Sequence, residues 1–383
     1  MLNDRKIEVE LSATYYWDHF SYILRYIDRH YLPLLQEKEI VFLKDFSELS
    51  FAAQCLYLRL ASRRSPCFRI EKLNYPEIGD LATPLRVLRA SGFLADVSED
   101  VGAIFTKQEC VNLAKKQGIK IPGSASKEEA ANLVSSADLI ATFSAGVVAP
   151  LRVEVFAFIQ FLFFGTRSRD LTDFVVRDLG HRHFVEVQEE DLKPYFQSRE
   201  EAEQKWAISM WREWFYTTTV CLDELLASWR VHLLPLASCL LEPSVRAFEK
   251  TCYAFGRLLE REKAYLEALE VYEVSLSGAS LERRVRILQK IGEADEAIAW
   301  ARVGLEICVS PTEIHFFEDF LAKQASKKSI KQVTASLKQA ELIEISPEYI
   351  GQVEAGVVAY FQSEGYFAAF TENQIWRNFL GLF

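Results

Sequence analysis

Three short stretches of this sequence concentrate basic side chains at a spacing that suits contact with a phosphate backbone. Residues 59–72 hold five basic residues against one acid, Glu71, and residues 107–127 hold five against Glu109. Residues 323–338 hold five lysines and no acid. Clustered cations bind nucleic acid because each contact releases counterions from the phosphates, although any single stretch could equally be a solvated helix face. The candidate nucleic-acid-binding residues are Arg63, Arg64, Arg69, Lys72, Lys107, Lys115, Lys116, Lys120, Lys127, Lys323, Lys327 and Lys328.

Two acidic patterns invite comparison with metal-dependent phosphodiesterases. Asp173 followed by Glu186-Val187-Gln188 imitates the two acids and the Glu-x-Lys strand with which PD-(D/E)xK nucleases hold a metal ion. Gln188 occupies the lysine position, so an ordinary hairpin is the better interpretation. Glu372 is a single carboxylate in front of an apolar segment, and by itself it would be a surface residue.

Composition excludes several classes of site. The 383 residues include 44 basic and 54 acidic ones, so the formal charge is −10 and any contact with nucleic acid must be local. The seven cysteines are scattered without a CxxC pair, which indicates reduced thiols rather than a zinc site or a disulfide framework. Neither zinc-ligand spacing of histidines nor a glycine-rich phosphate loop occurs. The N-terminus has no signal core, and the apolar stretch 153–164 is shorter than the roughly 20 residues of a membrane span.

The elements that must position these residues are mainly helical, with small β components. Aromatic residues predict a helix over 15–35, and an amphipathic pattern predicts another over 49–61. Residues 67–70 alternate as a strand, and a helix over 75–89 has Pro76 near its first turn. A serine–glycine pair then stops this helix before an extended piece. This order is typical of a winged helix-turn-helix, and another small α+β module fits about as well.

Two capping boxes begin the next pair of helices. Thr106 with Glu109, and Ser126 with Glu129, each place a hydroxyl three residues ahead of a glutamate. A glycine ends the first helix, and the second is predicted over 130–134. The spacing resembles a SAP motif, a helix–extended–helix DNA-binding module.

Further along the chain, the pattern changes to paired helices. Residues 153–164 predict a buried helix, and 174–187 predict a β-hairpin with its turn at Gly180. Residues 258–276 then align with 287–305.

The aligned segments have the small residues that a tetratricopeptide repeat requires. Each has a Glu-Ala pair in its second helix, at Ala268 and at Ala297, while Gly256 and Tyr272 occupy the other diagnostic positions. Small residues let paired helices approach closely, so a helical-hairpin array is predicted.

The last residues are read as the opening of a further domain. Residues 353–365 predict a helix, and residues 375–383 predict a second, apolar one that reaches the end of the sequence. A helix ending there would leave apolar side chains uncovered. We therefore expect a truncated polypeptide whose chemistry lies mostly downstream.

Taken in order, these pieces resemble the Fanconi-associated nuclease family of structure-specific DNA repair nucleases. The resemblance rests on LSFAAQCLYLRLASR (49–63), KLNYPEIGDLATPLRVLRASGFL (72–94), the SAP-like segment, the repeats, and VEAGVVAYFQSEGYFAAFTENQIWRNFLGLF (353–383). It extends over nearly the whole chain. The first and last of these segments carry the specific part of the match.

The resemblance implies a winged-helix region with an embedded SAP module, helical repeats, and a VRR-type nuclease domain of the PD-(D/E)xK class. It implies cleavage near 5′ flaps in interstrand crosslink repair, with Mg²⁺ or Mn²⁺. Glu372 matches the family's first metal ligand, and the remaining acids are absent, so this chain alone is expected to be inactive. Lys323, Lys327 and Lys328 lie in the region of the family's pocket for a 5′-terminal phosphate.

The implied domain boundaries are 1–105 for the winged-helix region, 106–140 for the SAP-like module, 141–243 for the rest of the N-terminal domain, 244–350 for the repeats and 351–383 for the start of the nuclease domain. Branched or 5′-flap duplex DNA is the expected partner, with a protein segment possible on the repeats and no membrane. The expected location is the nucleoid-associated cytoplasm in a bacterium and the nucleus in a eukaryote. The competing interpretation is a protein-interaction scaffold with incidental basic windows.

Overall fold

The computed structural model of this protein describes residues 12–143, 146–174, 193–325, 340 and 342–369. Contacts between residues divide the chain into two units, 1–251 and 252–383. Within the described ranges, no helix combines the length and the apolar character needed to cross a membrane.

Aromatic residues at helical spacing build the core of the first unit. Helix α1 (Tyr15–His30) is shorter than the predicted 15–35, because the chain passes into a 3-10 turn (Leu32–Leu34) that contains Pro33. Helices α2 (Glu37–Glu48) and α3 (Phe51–Ala61) follow, and α3 lies where a helix was predicted. The large side chains fully buried in this core include Phe20, Tyr31, Phe42, Tyr57, Phe93 and Phe161.

The helix predicted over 75–89 begins later than the sequence pattern indicated. Tyr75 is buried at the start of a turn, and Gly79 has φ +77°, outside the region that a helix allows. The carboxylate of Asp80 accepts a hydrogen bond from the backbone N–H of Ala82 at 3.1 Å. Helix α4 therefore covers Ala82–Ala90.

The small sheet confirms the winged helix-turn-helix. Strand β1 (Phe68–Arg69) and strand β2 (Leu94–Asp96) flank a central strand β3 (Val147–Pro150), and both pairings are antiparallel. Phe68 lies opposite Val148, and Ala95 lies opposite Ala149. Strand β3 was not predicted. Residues 97–146 stand between β2 and β3, and we call them the insertion.

The described part of the insertion contains three α-helices: α5 (Lys107–Lys116), α6 (Lys127–Asn132) and α7 (Ser136–Phe143). Both predicted capping boxes are present, with the backbone N–H of Thr106 donating to Glu109 at 2.7 Å and that of Ser126 donating to Glu129 at 2.6 Å. Helix α6 begins three residues before the predicted position, directly after its capping serine, and α7 was not predicted.

The insertion has its own apolar core, which continues into the edge of the sheet. Its buried side chains include Val101, Phe105, Cys110, Leu113 and Leu139. Cys67, beside β1, and Val147 of β3 belong to the same cluster. The insertion therefore packs on the sheet along a continuous apolar contact.

The apolar stretch 153–164 is a buried helix, as predicted. It forms α8 (Val153–Phe164), which ends at Gly165 with φ +65°. A Cβ on that glycine would lie 2.6 Å from the ring of Tyr195, so both the conformation and the close approach require glycine.

The rest of the first unit is helical where it is described. Helices α9 (Arg199–Thr217) and α10 (Leu222–His232) follow α8. The hairpin predicted over 174–187 lies outside the described residues, except for Phe174. Five of the seven cysteines are buried, namely Cys55, Cys67, Cys110, Cys252 and Cys308.

The second unit consists of helical hairpins. Its described helices are α11 (Glu242–Arg261), within which the boundary between the units falls, α12 (Tyr265–Glu273), α13 (Gly278–Ile291), α14 (Ala294–Ile307), α15 (Pro311–Ala325) and α16 (Val353–Ser363). Ala268 and Ala297 are fully buried, and a Cβ on Gly256 would lie 2.4 Å from the ring of Tyr272. The predicted small residues thus lie at helix contacts.

Candidate nucleic-acid interface

Arg69 of β1 joins the sheet to the insertion. Its guanidinium donates from Nε to Glu71 Oε1 at 2.6 Å and from Nη1 to Glu109 Oε1 at 2.7 Å, and it lies 4.4 Å from the ring centroid of Phe105. The residue is only 7% exposed. This corrects the placement of Arg69 among the phosphate contacts, because the side chain is buried and already neutralised by two carboxylates.

Glu109 has two roles at this junction. It closes the capping box of α5 and it accepts from Arg69. Partial burial alone would raise the pKa of Glu109, but hydrogen bonds from the Thr106 backbone and from Arg69 outweigh burial and lower that pKa. The carboxylate is therefore charged at neutral pH, and it holds the first turn of α5 against β1.

A second arginine of the first basic window is also structural. Arg59 donates from Nε and Nη2 to Glu77 Oε1 at 2.9 and 2.6 Å, and its guanidinium lies 4.0 Å from the ring centroid of Tyr16. Burial opposes its charge, but the bonds to Glu77 and Tyr16 raise the pKa of Arg59. Two of the five basic residues in this window are thus engaged by carboxylates of the protein.

The other cations of this window point to solvent. Arg63, Arg64 and Lys72 are exposed. Among the described residues, no carboxylate lies within ion-pair distance of any of them. The guanidinium of Arg63 lies 5.3 Å from the ring centroid of Tyr75, which restricts its direction.

The insertion exposes a second group of cations. Lys115 and Lys116 occupy the last turn of α5, where positive charge is favoured by the helix dipole, and Lys120 follows in the loop. All three are exposed, and the described part of the chain places no acid in ion-pair range of them. Lys107 and Lys127 donate instead to backbone carbonyls, of Gly123 at 3.1 Å and of Ala103 at 2.6 Å respectively.

The sequence reasoning missed one further cation, Arg86 of α4. It is exposed, whereas Leu85 and Leu88 on the other side of the helix are buried. In a winged helix-turn-helix, the helix that precedes the last two strands is placed to approach DNA. The helical spacing of the apolar residues Leu85 and Leu88 within 82–90 could have indicated from the sequence that Arg86 is exposed.

We give the name open cations to the exposed cations of α4 and of the first two basic windows for which the described structure shows neither an ion pair nor a hydrogen bond. They are Arg63, Arg64, Lys72, Arg86, Lys115, Lys116 and Lys120. All seven belong to the first unit, and Arg69 connects strand β1 to the insertion, which carries Lys115, Lys116 and Lys120.

The third basic window is mostly outside the described residues. Lys323 is half-exposed on α15, and its ammonium pairs with Asp319 one turn earlier. Lys327 and Lys328 lie outside the described residues. The structure therefore brings together the first two windows, through Arg69 and Glu109.

No metal site can be assembled from the described residues. Asp173 accepts a hydrogen bond from the backbone N–H of Asp170 at 3.1 Å in a local turn. Glu186, Gln188 and Glu372 lie outside the described residues. Within the part that is described, no group of three or more histidine, cysteine or acidic residues could hold a metal ion.

Comparison with known proteins gives a consistent match. The family model "FAN1, HTH domain" matches residues 14–95, which run from α1 to β2. The Fanconi-associated nuclease 1 homolog of Pseudomonas aeruginosa is 25% identical over 382 residues, covering 96% of this chain and 67% of that protein. The Arabidopsis thaliana homolog is 30% identical over 96 residues, which are 25% of this chain and 11% of that protein.

A solved structure shares the fold. The crystal structure of paFAN1 bound to DNA with a two-nucleotide 5′ flap and a gap superposes with a TM-score of 0.71 and 22% identity, over 91% of this chain and 65% of that chain. The present chain thus spans about two thirds of the length of the relatives that it matches along most of its own length.

Proposed function

This chain belongs to the Fanconi-associated nuclease family, and from that premise we propose that it forms the DNA-holding body of a structure-specific nuclease that acts on 5′-flap DNA. The observation that carries the proposal is the set of open cations on a winged helix-turn-helix and on an insertion anchored to it. The fold is shared with a protein crystallised on 5′-flap DNA.

The open cations would grip phosphates rather than read bases. Phosphate contacts position a protein on a duplex without sequence information, as recognition of DNA structure requires. If all seven open cations made contacts, the slope of log K against log[salt] would be roughly −6 on the basis of −0.9 per phosphate. The overall charge of −10 does not oppose this, because the Debye length in physiological salt is only about 8 Å.

Arg69 would define the spacing between the two groups of cations. It holds α5 against β1 from inside, so Lys115, Lys116 and Lys120 would keep a constant distance from Arg63 and Arg64. A rigid arrangement of phosphate contacts favours one DNA geometry over another. This gives the buried arginine an indirect place in DNA recognition.

Catalysis is proposed for the complete protein rather than for this chain. Glu372 would supply one oxygen ligand to Mg²⁺ or Mn²⁺, and a bound divalent ion would lower the pKa of a water molecule and stabilise the leaving oxygen. A single carboxylate does not make such a site, so we propose that this chain does not cut DNA. A role in interstrand crosslink repair, at the nucleoid or in the nucleus, completes the proposal.

A titration of this chain against a 5′-flap duplex and a plain duplex, each at two salt concentrations, tests the proposal. Fluorescence anisotropy should give tighter binding to the flap, strong weakening at the higher salt, and no cleavage with Mg²⁺ or Mn²⁺. Absence of binding at low salt would refute the DNA-holding function and favour the scaffold. Metal-dependent cleavage by this chain would refute the proposed inactivity and redirect attention to Asp173 and Glu186.

A further inference from the structure

Arg152 has a backbone conformation that residues other than glycine rarely adopt. It lies between strand β3 and helix α8 with φ +58° and ψ +21°, in the left-handed region. Among the described residues, Asp100 and Lys263 share a positive φ. Strain of this kind persists only where the surrounding structure holds it, and it is a reason to ask for a function. A glycine would relieve the strain, so the arginine indicates a use of its side chain.

The guanidinium of Arg152 joins α2 and the end of α4 to the start of α8. Its Nη1 donates to Asp45 Oδ2 of α2 at 2.6 Å, and its Nη2 donates to the backbone carbonyl of Ser91 at 3.4 Å. The guanidinium also lies 4.6 Å from the ring centroid of Phe93, which is fully buried. One side chain thus contacts elements that are far apart along the chain.

The contact with Ser91 is made at the C-terminal end of α4. Ser91 directly follows this helix, and the last carbonyls of a helix have no partner within it. A positive charge beside these carbonyls is favoured by the helix dipole. Gly92 follows with φ +70°, and a Cβ built on it would lie 3.4 Å from Nη2 of Arg152. The guanidinium therefore lies in contact with the turn that ends α4.

The backbone beside Arg152 is itself held by the core. The backbone N–H of Leu151 donates to the carbonyl of Phe93 at 2.9 Å. The carbonyl of Leu151 accepts from the hydroxyl of Tyr57 of α3, also at 2.9 Å, and Tyr57 is fully buried. Arg152 therefore extends from a fixed backbone and can support the end of α4.

Helix α4 carries the open cation Arg86. This residue lies five positions before Ser91, a distance of roughly 7.5 Å along a helix. Leu85 and Leu88 hold the other face of α4 on the core, but apolar burial has no preferred direction. The bonds of Arg152 have defined donors and acceptors, so they restrict the direction of the helix.

The ion pair of Arg89 with Asp96 does not replace this support. Arg89 lies in the last turn of α4 and donates to Asp96 of β2 at 2.7 Å. The carboxylate of Asp96 is 70% exposed, and exposed ion pairs contribute little. The pair of Arg152 with Asp45 is less exposed, at 28% and 31%.

Resting on the proposed function, we propose that Arg152 is a positioning residue for DNA binding. Its guanidinium holds the C-terminal end of α4, and α4 then presents Arg86 to a phosphate at a constant distance from the other open cations. Arg152 makes no DNA contact of its own in this arrangement. The strained backbone is retained because a long side chain with several donors can reach both Asp45 and Ser91.

A double-mutant cycle between Arg152→Gly and Arg86→Ala, measured by fluorescence anisotropy with a plain duplex, tests the proposal. Arg152→Gly removes the guanidinium and relieves the strain, so the variant is expected to fold. In the wild-type background, Arg86→Ala should weaken binding about fivefold at about 0.1 M salt, the contribution of roughly one phosphate contact. In the Arg152→Gly background, the same change should weaken binding less than about twofold. Additive effects would overturn the proposal and leave the DNA-holding function standing.

Asp45→Asn separates positioning from a direct phosphate contact by Arg152. This change keeps the arginine and its charge but removes the carboxylate that orients it. Positioning predicts weaker duplex binding and a reduced effect of Arg86→Ala, as in Arg152→Gly. A direct contact predicts unchanged or tighter binding, because a negative charge has been lost, and that result would overturn the proposal.

Lys263→Gly is the matched control for the relief of backbone strain. Lys263 is exposed and has φ +65°, but its side chain has no partner among the described residues. The change should leave duplex affinity and the effect of Arg86→Ala as they are in the wild type. An equal loss of the Arg86 effect in Lys263→Gly would contradict a specific role for Arg152.

Hydrogen exchange of the chain without DNA tests the positioning by itself. In Arg152→Gly, the amides of 86–93 should lose protection about tenfold, while those of α3 keep theirs. Unchanged protection of 86–93 would overturn the positioning role, whatever the binding results are. A wild-type chain that binds no duplex would instead refute the proposed function and this inference with it, a result distinct from additive effects on a measurable affinity.

Discussion

The basic residues around Glu260 in the second unit and the open cations of the first unit use their charges in opposite ways. In the second unit, Glu260 accepts from Arg283 Nε at 2.9 Å, from Arg257 at 3.1 Å and from the hydroxyl of Tyr272 at 2.8 Å. Arg284 is buried, with its guanidinium 3.6 Å from the ring centroid of Trp300. The seven open cations of the first unit are exposed and have no acid partner among the described residues.

The contrast teaches that the placement of carboxylates decides what a cation can do. Burial alone would raise the pKa of Glu260, but Arg283 and Tyr272 outweigh it and lower that pKa. The carboxylate of Glu260 is therefore charged, and it engages the basic side chains beside it in ion pairs. The first basic window of the first unit contains both kinds of cation. Arg69 is paired with Glu71 and Glu109, whereas Arg64 is exposed. We expect the following changes to separate stability from DNA binding.

The largest effect should follow from Glu260→Leu, which breaks the shared ion pair of the second unit. Removing one partner leaves Arg283 and Tyr272 without their acceptor, which should cost about 3 kcal/mol of unfolding free energy. Hydrogen exchange measured by mass spectrometry should show lost protection in residues 252–325, with DNA affinity at low salt unchanged in the folded fraction. A weaker flap affinity at constant protection would contradict the structural role.

The next effect tests the open cations of the insertion. Replacing Lys115, Lys116 and Lys120 together by alanine should reduce duplex affinity by about 10²-fold and make the salt slope about 3 shallower. The melting temperature should stay within a degree or two of the wild type, because exposed lysines without partners contribute little to stability. Lys323→Ala, in which the lost charge is already paired with Asp319, is the matched control and should leave the slope unchanged.

Arg69→Met should lower stability and flap preference together. Loss of the guanidinium leaves Glu71 and Glu109 without their shared partner. Because both carboxylates are partly exposed, the free energy of unfolding should fall by only about 2 kcal/mol. The ratio of flap to plain-duplex affinity should fall even under conditions where the variant is folded. Arg69→Lys should rescue only part of the loss, because one ammonium cannot bridge two carboxylates as a guanidinium does. An unchanged affinity ratio in folded Arg69→Met would show that the junction affects folding alone.

The smallest effect is the dependence of stability on pH. Glu77, Glu109 and Glu260 have lowered pKa values in the folded protein. Their contribution to the free energy of unfolding is therefore complete above the unfolded-state pKa of about 4.3. It is lost as the pH falls through the pKa of each glutamate in the folded protein. Urea midpoints measured between pH 6 and pH 3 should decline accordingly. Glu109→Gln should flatten this decline slightly, and an unchanged pH profile in that variant would contradict its role at the junction.

Local patterns in the sequence predicted much of this fold. The capping boxes at Thr106 and Ser126, the buried α8, and the small residues at Ala268 and Ala297 all follow from contacts within a few residues or from one repeat length. Such features are determined by backbone hydrogen bonding and by periodicity, which a linear pattern records directly. The open cations of α5 were also identified in this way.

The tertiary structure decided what depends on distant residues. Strand β3 joins β1 and β2 only after the insertion, so its pairing has no local signal. Burial of Arg69 depends on Glu109, which lies forty residues further along the chain. Charge, periodicity and capping are properties of neighbouring residues and belong to the sequence, whereas exposure and ion pairing arise only when the chain brings its distant parts together.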